Sequence, residues 1–206
     1  MDSAKILKKT VDIFSYKGIS QTDWLHLCVH VGEIQTLPGS LKAHQPIQKS
    51  FETAINYFQK VLAVDENHPV ARSALAYVYG MQRKYEQALS QAQQAIESNP
   101  WRANTHFVLG SILYFTGRYE EALQTLKKVL RLDPKGPAYY HLAMGHAYRG
   151  LGQYEEAIAS YKKAFEGKPN YWMPRIFLAA TYNMSGQEEM ARTEADEVLR
   201  INPKFS

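Results

Sequence analysis

The chain has 206 residues, 45% of them hydrophobic and 21% charged, the make-up of an ordinary soluble protein. Its net charge of +4 comes from lysines and arginines interspersed with acids, without the basic stripe a phosphate backbone needs, so no nucleic acid is expected as a partner. One cysteine, Cys28, rules out an internal disulfide and suits a reducing, cytoplasmic setting, and no stretch approaches the ~18 apolar residues of a membrane span.

Residues 1–19 read as an N-terminal amphipathic segment. Ser3 serves as N-cap, Leu7, Val11 and Phe14 recur at helical spacing, and Gly18 follows the last turn. The basic residues Lys5, Lys8 and Lys9 are diluted by Asp2 and Asp12, which argues against a membrane anchor. The expected role is to cover an open end of the body that follows, or to fill its groove. Ser20 and Asp23 have capping-box spacing, and a helix is predicted from Gln21 to Leu37 with Trp24, Leu27, Cys28, Val31 and Ile34 on its apolar side. Pro38-Gly39 stops it, residues 38–46 read as a loop, and another helix runs from about Pro46 to Ala63 with Phe51, Ala54, Phe58 and Val61 on one face.

From residue 69 onward one sentence repeats. Tyr119 to Pro134 returns as Tyr154 to Pro169, and more loosely as Tyr85 to Pro100 and Glu188 to Pro203. The anchors 85, 119, 154 and 188 lie 34, 35 and 34 residues apart, a period that signals stacked helix pairs. Within each period a leucine or methionine, a small residue and then a tyrosine or leucine appear in the first half: Leu75, Ala76, Tyr79; Leu109, Gly110, Leu113; Met144, Gly145, Tyr148; Leu178, Ala179, Tyr182. The second half carries Ala88, Ala122, Ala157 or Ala191 and closes on Pro100, Pro134, Pro169 or Pro203.

On these residues the chain resembles the tetratricopeptide-repeat proteins, closely over 69–205 and loosely over 20–68. The resemblance implies an all-α fold, a right-handed α-solenoid of stacked antiparallel helix pairs. Four repeats are expected, at 69–102, 103–136, 138–171 and 172–205, after a degenerate first repeat with an inserted loop at 20–68. The place usually held by tryptophan carries Arg72, His106, His141 and Arg175 instead, and Gly136-Pro137 lengthens one junction. Gly117, Gly152 and Gly186 fall where the two helices of a pair turn, and glycine tolerates the positive φ such a turn requires. Gly110 and Gly145 are expected to face Ala122 and Ala157, with Tyr119 and Tyr154 filling the space beside that contact.

Nothing in the chain spells out catalysis. There is no phosphate-binding glycine loop, no nucleophile elbow and no His-Glu-x-x-His helix. Cys28 lies on an apolar face, the setting of an inert thiol. His26, His30 and Glu33 have a spacing that could offer a metal three ligands, but a solvated polar face opposite Trp24 explains them as well. Glu120-Glu121 and Glu155-Glu156 begin second helices, where negative charge suits the helix dipole. No cofactor and no metal are expected.

The family resemblance implies that four places on each first helix line a concave groove. Here they hold Val70, Ser73, Tyr77 and Gly80; Asn104, Phe107, Ser111 and Tyr114; Tyr139, Leu142, His146 and Arg149; Met173, Ile176, Ala180 and Asn183. Family members that grip a terminal carboxylate use lysine and asparagine at such places, whereas Arg149 is the main cation of this set. The expected partner-binding residues are Tyr77, Asn104, Phe107, Ser111, Tyr114, Tyr139, His146, Arg149, Met173 and Asn183. They would form a pocket between the first helices of the third and fourth repeats that takes an apolar or amphipathic protein segment.

The expected function is a non-catalytic protein-interaction scaffold. The run from Pro137 to Ser206 also looks like the C-terminal repeat regions attached to some bacterial nucleotide cyclases and transcription regulators, which implies the regulatory part of a larger system. The alternatives are a metal-binding or enzymatic role centred on the first 68 residues, or a self-associating structural protein. Ala191, Ala195, Val198 and Leu199 on the last helix are expected to be partly uncovered, which would permit self-association through the C-terminal end.

Overall fold

A computed structural model describes residues 44–168 and 170–203. The predicted N-terminal helices, Cys28 and the His26, His30, Glu33 group lie outside the described residues. Among those described the fold is all-α: nine helices and no strand. The chain divides into two compact units, Met1–Pro100 and Trp101–Ser206.

The first unit contains α1 (His44–Val64), α2 (Pro69–Met81) and α3 (Tyr85–Ser98). Helix α1 packs on α2 through the stripe expected of it: Phe58 meets Ala71, Ala74 and Leu75, and Phe51 meets Val78, with Ala54 and Ile55 joining both groups. Helix α2 begins on a proline in its first turn and is capped by the ring nitrogen of His68, which accepts from the Ala71 amide. It pairs with α3, whose Ala88, Ala92 and Ala95 are fully buried.

The second unit stacks three pairs: α4 (Ala103–Phe115) with α5 (Tyr119–Leu132), α6 (Tyr139–Gly150) with α7 (Tyr154–Phe165), and α8 (Met173–Met184) with α9 (Glu188–Ile201). Each pair also touches the next, α5 against α6 and α7 against α8, while α4 reaches α6 directly. The turns inside the pairs share one geometry. Gly117, Gly152 and Gly186 take φ of +76°, +71° and +78°. The following amide reaches back to close the helix, as Arg118 N–H to Leu113 O and Gln187 N–H to Tyr182 O, the bond pattern of a Schellman cap. In the first unit Arg83 holds the same turn at φ 59°, a conformation glycine adopts without strain.

Gly110 faces Ala122 as expected, its Cβ position 3.6 Å from the Ala122 carbonyl oxygen, but larger side chains come closer. A Cβ at Gly110 would come within 2.9 Å of Leu126, and one at Gly145 within 2.4 Å of Tyr161. The glycines therefore make room for these larger side chains, one turn beyond Ala122 and Ala157, because helical side chains lean back toward the N-terminus of their own helix. Tyr119 lies against the next pair: a Cβ on Gly150 would come within 2.6 Å of its ring. In addition α7 stops at Phe165, with Gly167 at φ +69° just beyond it, so it is shorter than α5 and α9.

The two arginines at the usual tryptophan place tie the helices of a pair together. Arg72 donates to the Glu66 carbonyl at 2.9 Å, to Gln91 at 3.2 Å and to Gln94. Arg175 binds Glu194 at 2.6 Å, with both side chains largely buried, and its guanidinium lies 4.4 Å from the Phe165 ring centre. In both pairs the acceptor lies 19 residues beyond the arginine. His106 is buried at the same place and His141 half-buried, where burial lowers its pKa.

On α9, Val198 is buried, contrary to expectation, while Ala195 and Leu199 are exposed and Ala191 is half-buried. The outer side of α9 carries Arg192 and Ala195 where α7 buries Ile158 and Tyr161, so less apolar bulk is presented there.

Candidate functional site

The expected binding residues divide by burial. Tyr77 belongs to the first unit and is buried there at 6% exposure. In the second unit Phe107, Tyr139 and Met173 are also buried, at 3%, 4% and 2%. The Phe107 ring lies 4.7 Å from Tyr139 and 5.3 Å from Tyr140, filling the α4–α6 contact. Burial raises the pKa of both tyrosines, and that of Tyr140 is pushed up to about 12, with the Asp133 charge adding to the effect. These large side chains, expected to line a binding groove, pack as core. A ring at such a place packs against the neighbouring helix when that removes more apolar surface from water.

A second set stays half-buried and comes together. Tyr114 of α4 stacks on His146 of α6, with centroids 5.4 Å apart and planes 23° from parallel. On the α8 side, Phe177 meets His146 edge-on at 4.4 Å. Below them His146 Nδ1 is 2.8 Å from the hydroxyl of the fully buried Tyr161. Arg149, one helical turn beyond His146, places its guanidinium 5.6 Å from the Phe177 ring centre. Phe177 of α8 thus meets both His146 and Arg149 of α6, on the first helices of the third and fourth repeats.

Burial, and then the nearby Arg149 charge, push the His146 pKa down to about 3, so the imidazole is neutral near pH 7. Burial likewise raises the Tyr161 pKa, keeping its hydroxyl protonated. The result is a platform of rings with the Arg149 guanidinium at its edge.

The remaining predicted residues lie on the same helices. Ser111 is half-buried and its hydroxyl donates to the Phe107 carbonyl at 2.9 Å, a bond within its own helix. Asn104 has a buried side-chain oxygen with no hydrogen-bond partner among the described residues. Asn183 is exposed at the end of α8, where its carbonyl accepts from Gly186. Phe177 and Tyr161 were not among the predicted binding residues. Phe177 falls at a place to which the family pattern gives no lining role, yet its spacing of one turn from Met173 marks a continuing aromatic and methionine stripe.

Among the described residues no group of three or more metal-ligating side chains occurs, and no helix is long and apolar enough to cross a membrane.

Comparison with known proteins agrees with this architecture. A family model described as anaphase-promoting complex, cyclosome, subunit 3 matches residues 47–129, and one described as TPR repeat matches 145–179. Small glutamine-rich tetratricopeptide repeat-containing protein 2 of Mycosarcoma maydis is 29% identical over 86 residues, covering 42% of this chain and 24% of that protein. The transcriptional regulator HilA of Salmonella typhimurium is 30% identical over 99 residues, covering 44% of this chain and 18% of the regulator. The chain therefore spans a quarter or less of the length of these relatives. Among solved structures YrrB, described as a TPR protein with an unusual peptide-binding site, superposes with a TM-score of 0.60 at 17% identity, covering 98% of this chain and 95% of its own. The repeated helix pairs, their shared turn geometry and these matches show that the chain carries tetratricopeptide repeats.

Proposed function

We propose that the chain is a non-catalytic, cytoplasmic protein-interaction scaffold and that its unit Trp101–Ser206 holds an apolar or amphipathic partner segment against the platform of Tyr114, His146 and Phe177. The observation that carries this reading is the platform itself: three half-buried rings from three successive first helices, fixed in place by their mutual contacts. Rings already held in one arrangement lose little entropy when a partner covers them, which makes them effective anchors. Ser111, Asn104 and Asn183 supply polar groups on the same helices for a bound backbone, and the buried Asn104 oxygen lacks a partner among the described residues. The peptide-binding site in the description of YrrB supports a peptide ligand, and the likeness to part of HilA supports a regulatory role within a larger system.

The test uses segments selected against the protein from a displayed library of random linear peptides. Tyr114→Ala with Phe177→Ala is expected to weaken a selected segment by more than about 2 kcal/mol while the protein stays folded. Phe107→Ala, in contrast, is expected to lower stability by about 3–5 kcal/mol because its ring is core. A folded Tyr114→Ala, Phe177→Ala protein that binds the selected segments as well as the parent does would place the site elsewhere.

A further inference from the structure

The charges on the first helices of the second unit are few and one-sided. Helices α4, α6 and α8 contain no aspartate and no glutamate. The acids of the pairs instead lie on the second helices, as Glu120 and Glu121 on α5, Glu155 and Glu156 on α7, and Glu188 and Glu189 at the start of α9. Two arginines lie on the first helices, and they differ in what they meet. Arg175 is neutralised by Glu194 at 2.6 Å. Arg149 forms no ion pair among the described residues, and the contact it makes is with the Phe177 ring. It is half-buried, and the neighbouring imidazole of His146 is neutral and already bonded to Tyr161.

A partly desolvated guanidinium without a counter-charge favours a carboxylate more than an exposed one does, because its water shell is already incomplete. Its planar fork suits one carboxylate held by two parallel bonds. The surroundings are aromatic, so the groups beside that carboxylate have to be apolar.

We propose that the partner segment carries an aspartate or glutamate side chain within its length that pairs with Arg149, flanked by apolar side chains that cover Tyr114 and Phe177. This rests on the segment-binding reading above and adds the chemistry of the segment. A chain-terminal carboxylate fits less well, because it brings the polar end of a backbone, whereas the flanking surface is made of rings.

The experiment selects binders from a random linear peptide library displayed with both ends blocked, first with the parent protein and then with Arg149→Glu. Parent binders are expected to be enriched in one acidic position beside aliphatic or aromatic residues. The same selection on Arg149→Glu is expected to replace that acid with lysine or arginine. Arg149→Met, which keeps an apolar stem over Phe177, is expected to weaken the parent binders roughly ten- to a hundredfold, and neutralising the peptide's acid should then cost nothing further. Thermal unfolding of each variant confirms that it is folded. Binders that depend on Tyr114 and Phe177 but show no acidic enrichment would overturn the pairing with Arg149 and leave the segment-binding reading standing. Binding that appears only when peptides with a free C-terminus are supplied would also overturn it. Binders indifferent to Tyr114, Phe177 and Arg149 alike would overturn both readings.

Discussion

Two helix pairs of the second unit solve the same packing problem in opposite ways. In α6–α7, Gly145 leaves space and Tyr161 fills it, so that a Cβ on the glycine would come within 2.4 Å of the ring. In α8–α9 the equivalent places hold Ala179 and Ala195, and Ala195 is exposed. The difference reaches beyond packing. Tyr161 is fully buried, yet its hydroxyl meets His146, the middle ring of the platform. A core side chain thereby positions a half-buried ring of the platform. Ala195 has no polar atom to play that part for the equivalent residue, Ala180. The α6–α7 pair joins scaffold to site, while α8 contributes a ring and α9 an outer side with less apolar bulk.

Breaking the larger partner of that contact should have the largest effect. Tyr161→Ala leaves a cavity under His146 and removes its hydrogen-bond partner, at an expected cost of about 3–5 kcal/mol. Gly145→Ala forces a methyl into a ring that cannot swing away, and overpacking of this kind costs about 1–3 kcal/mol. Together the two substitutions reproduce the pairing of α8–α9. The cost of Gly145→Ala should therefore shrink in the Tyr161→Ala background, and chemical denaturation of all four proteins measures that coupling. Strictly additive costs would mean that the two side chains do not share one space.

A pH-dependent effect sharpens the link to the site. His146 has a folded pKa of about 3, below the ordinary histidine value of 6.5. As pH falls through that ordinary value the unfolded chain takes up a proton that the folded chain refuses. Stability then falls with pH, by up to about 1.4 kcal/mol per pH unit, until the folded pKa is reached. Above the ordinary value this contribution does not vary. His146→Gln should flatten the slope between about pH 6 and 4, the window in which burial holds the two states apart. An unchanged slope would show that His146 is not held neutral.

Much of the scaffold was legible in the sequence. The 34-residue period located the helix pairs, and Gly117, Gly152 and Gly186 announced turns whose positive φ is a local requirement. The stripe Phe51, Ala54, Phe58 of α1 was equally plain, because burial of one helical face leaves a periodic trace. The partners of Gly110 and Gly145 were less so. A glycine records that something large comes close, but not which residue of the opposing helix leans into the gap. The site was legible only in part for a related reason. Phe107 and Phe177 are identical side chains on first helices, one 3% exposed and one half-buried, and only the neighbouring helices decide between them. Arg149 and Arg175 likewise look alike in sequence until Glu194 proves to reach only the second.

The most direct measurement of the central claim is a nuclear magnetic resonance titration of the protein with a segment selected from the displayed library. The account predicts that the ring signals of Tyr114, His146 and Phe177 shift together and saturate with the binding curve, whereas the signals of Arg192 and Ala195 on the outer side of α9 stay in place. Saturating shifts confined to the second helices α5, α7 and α9, with the three platform rings unmoved, would contradict it.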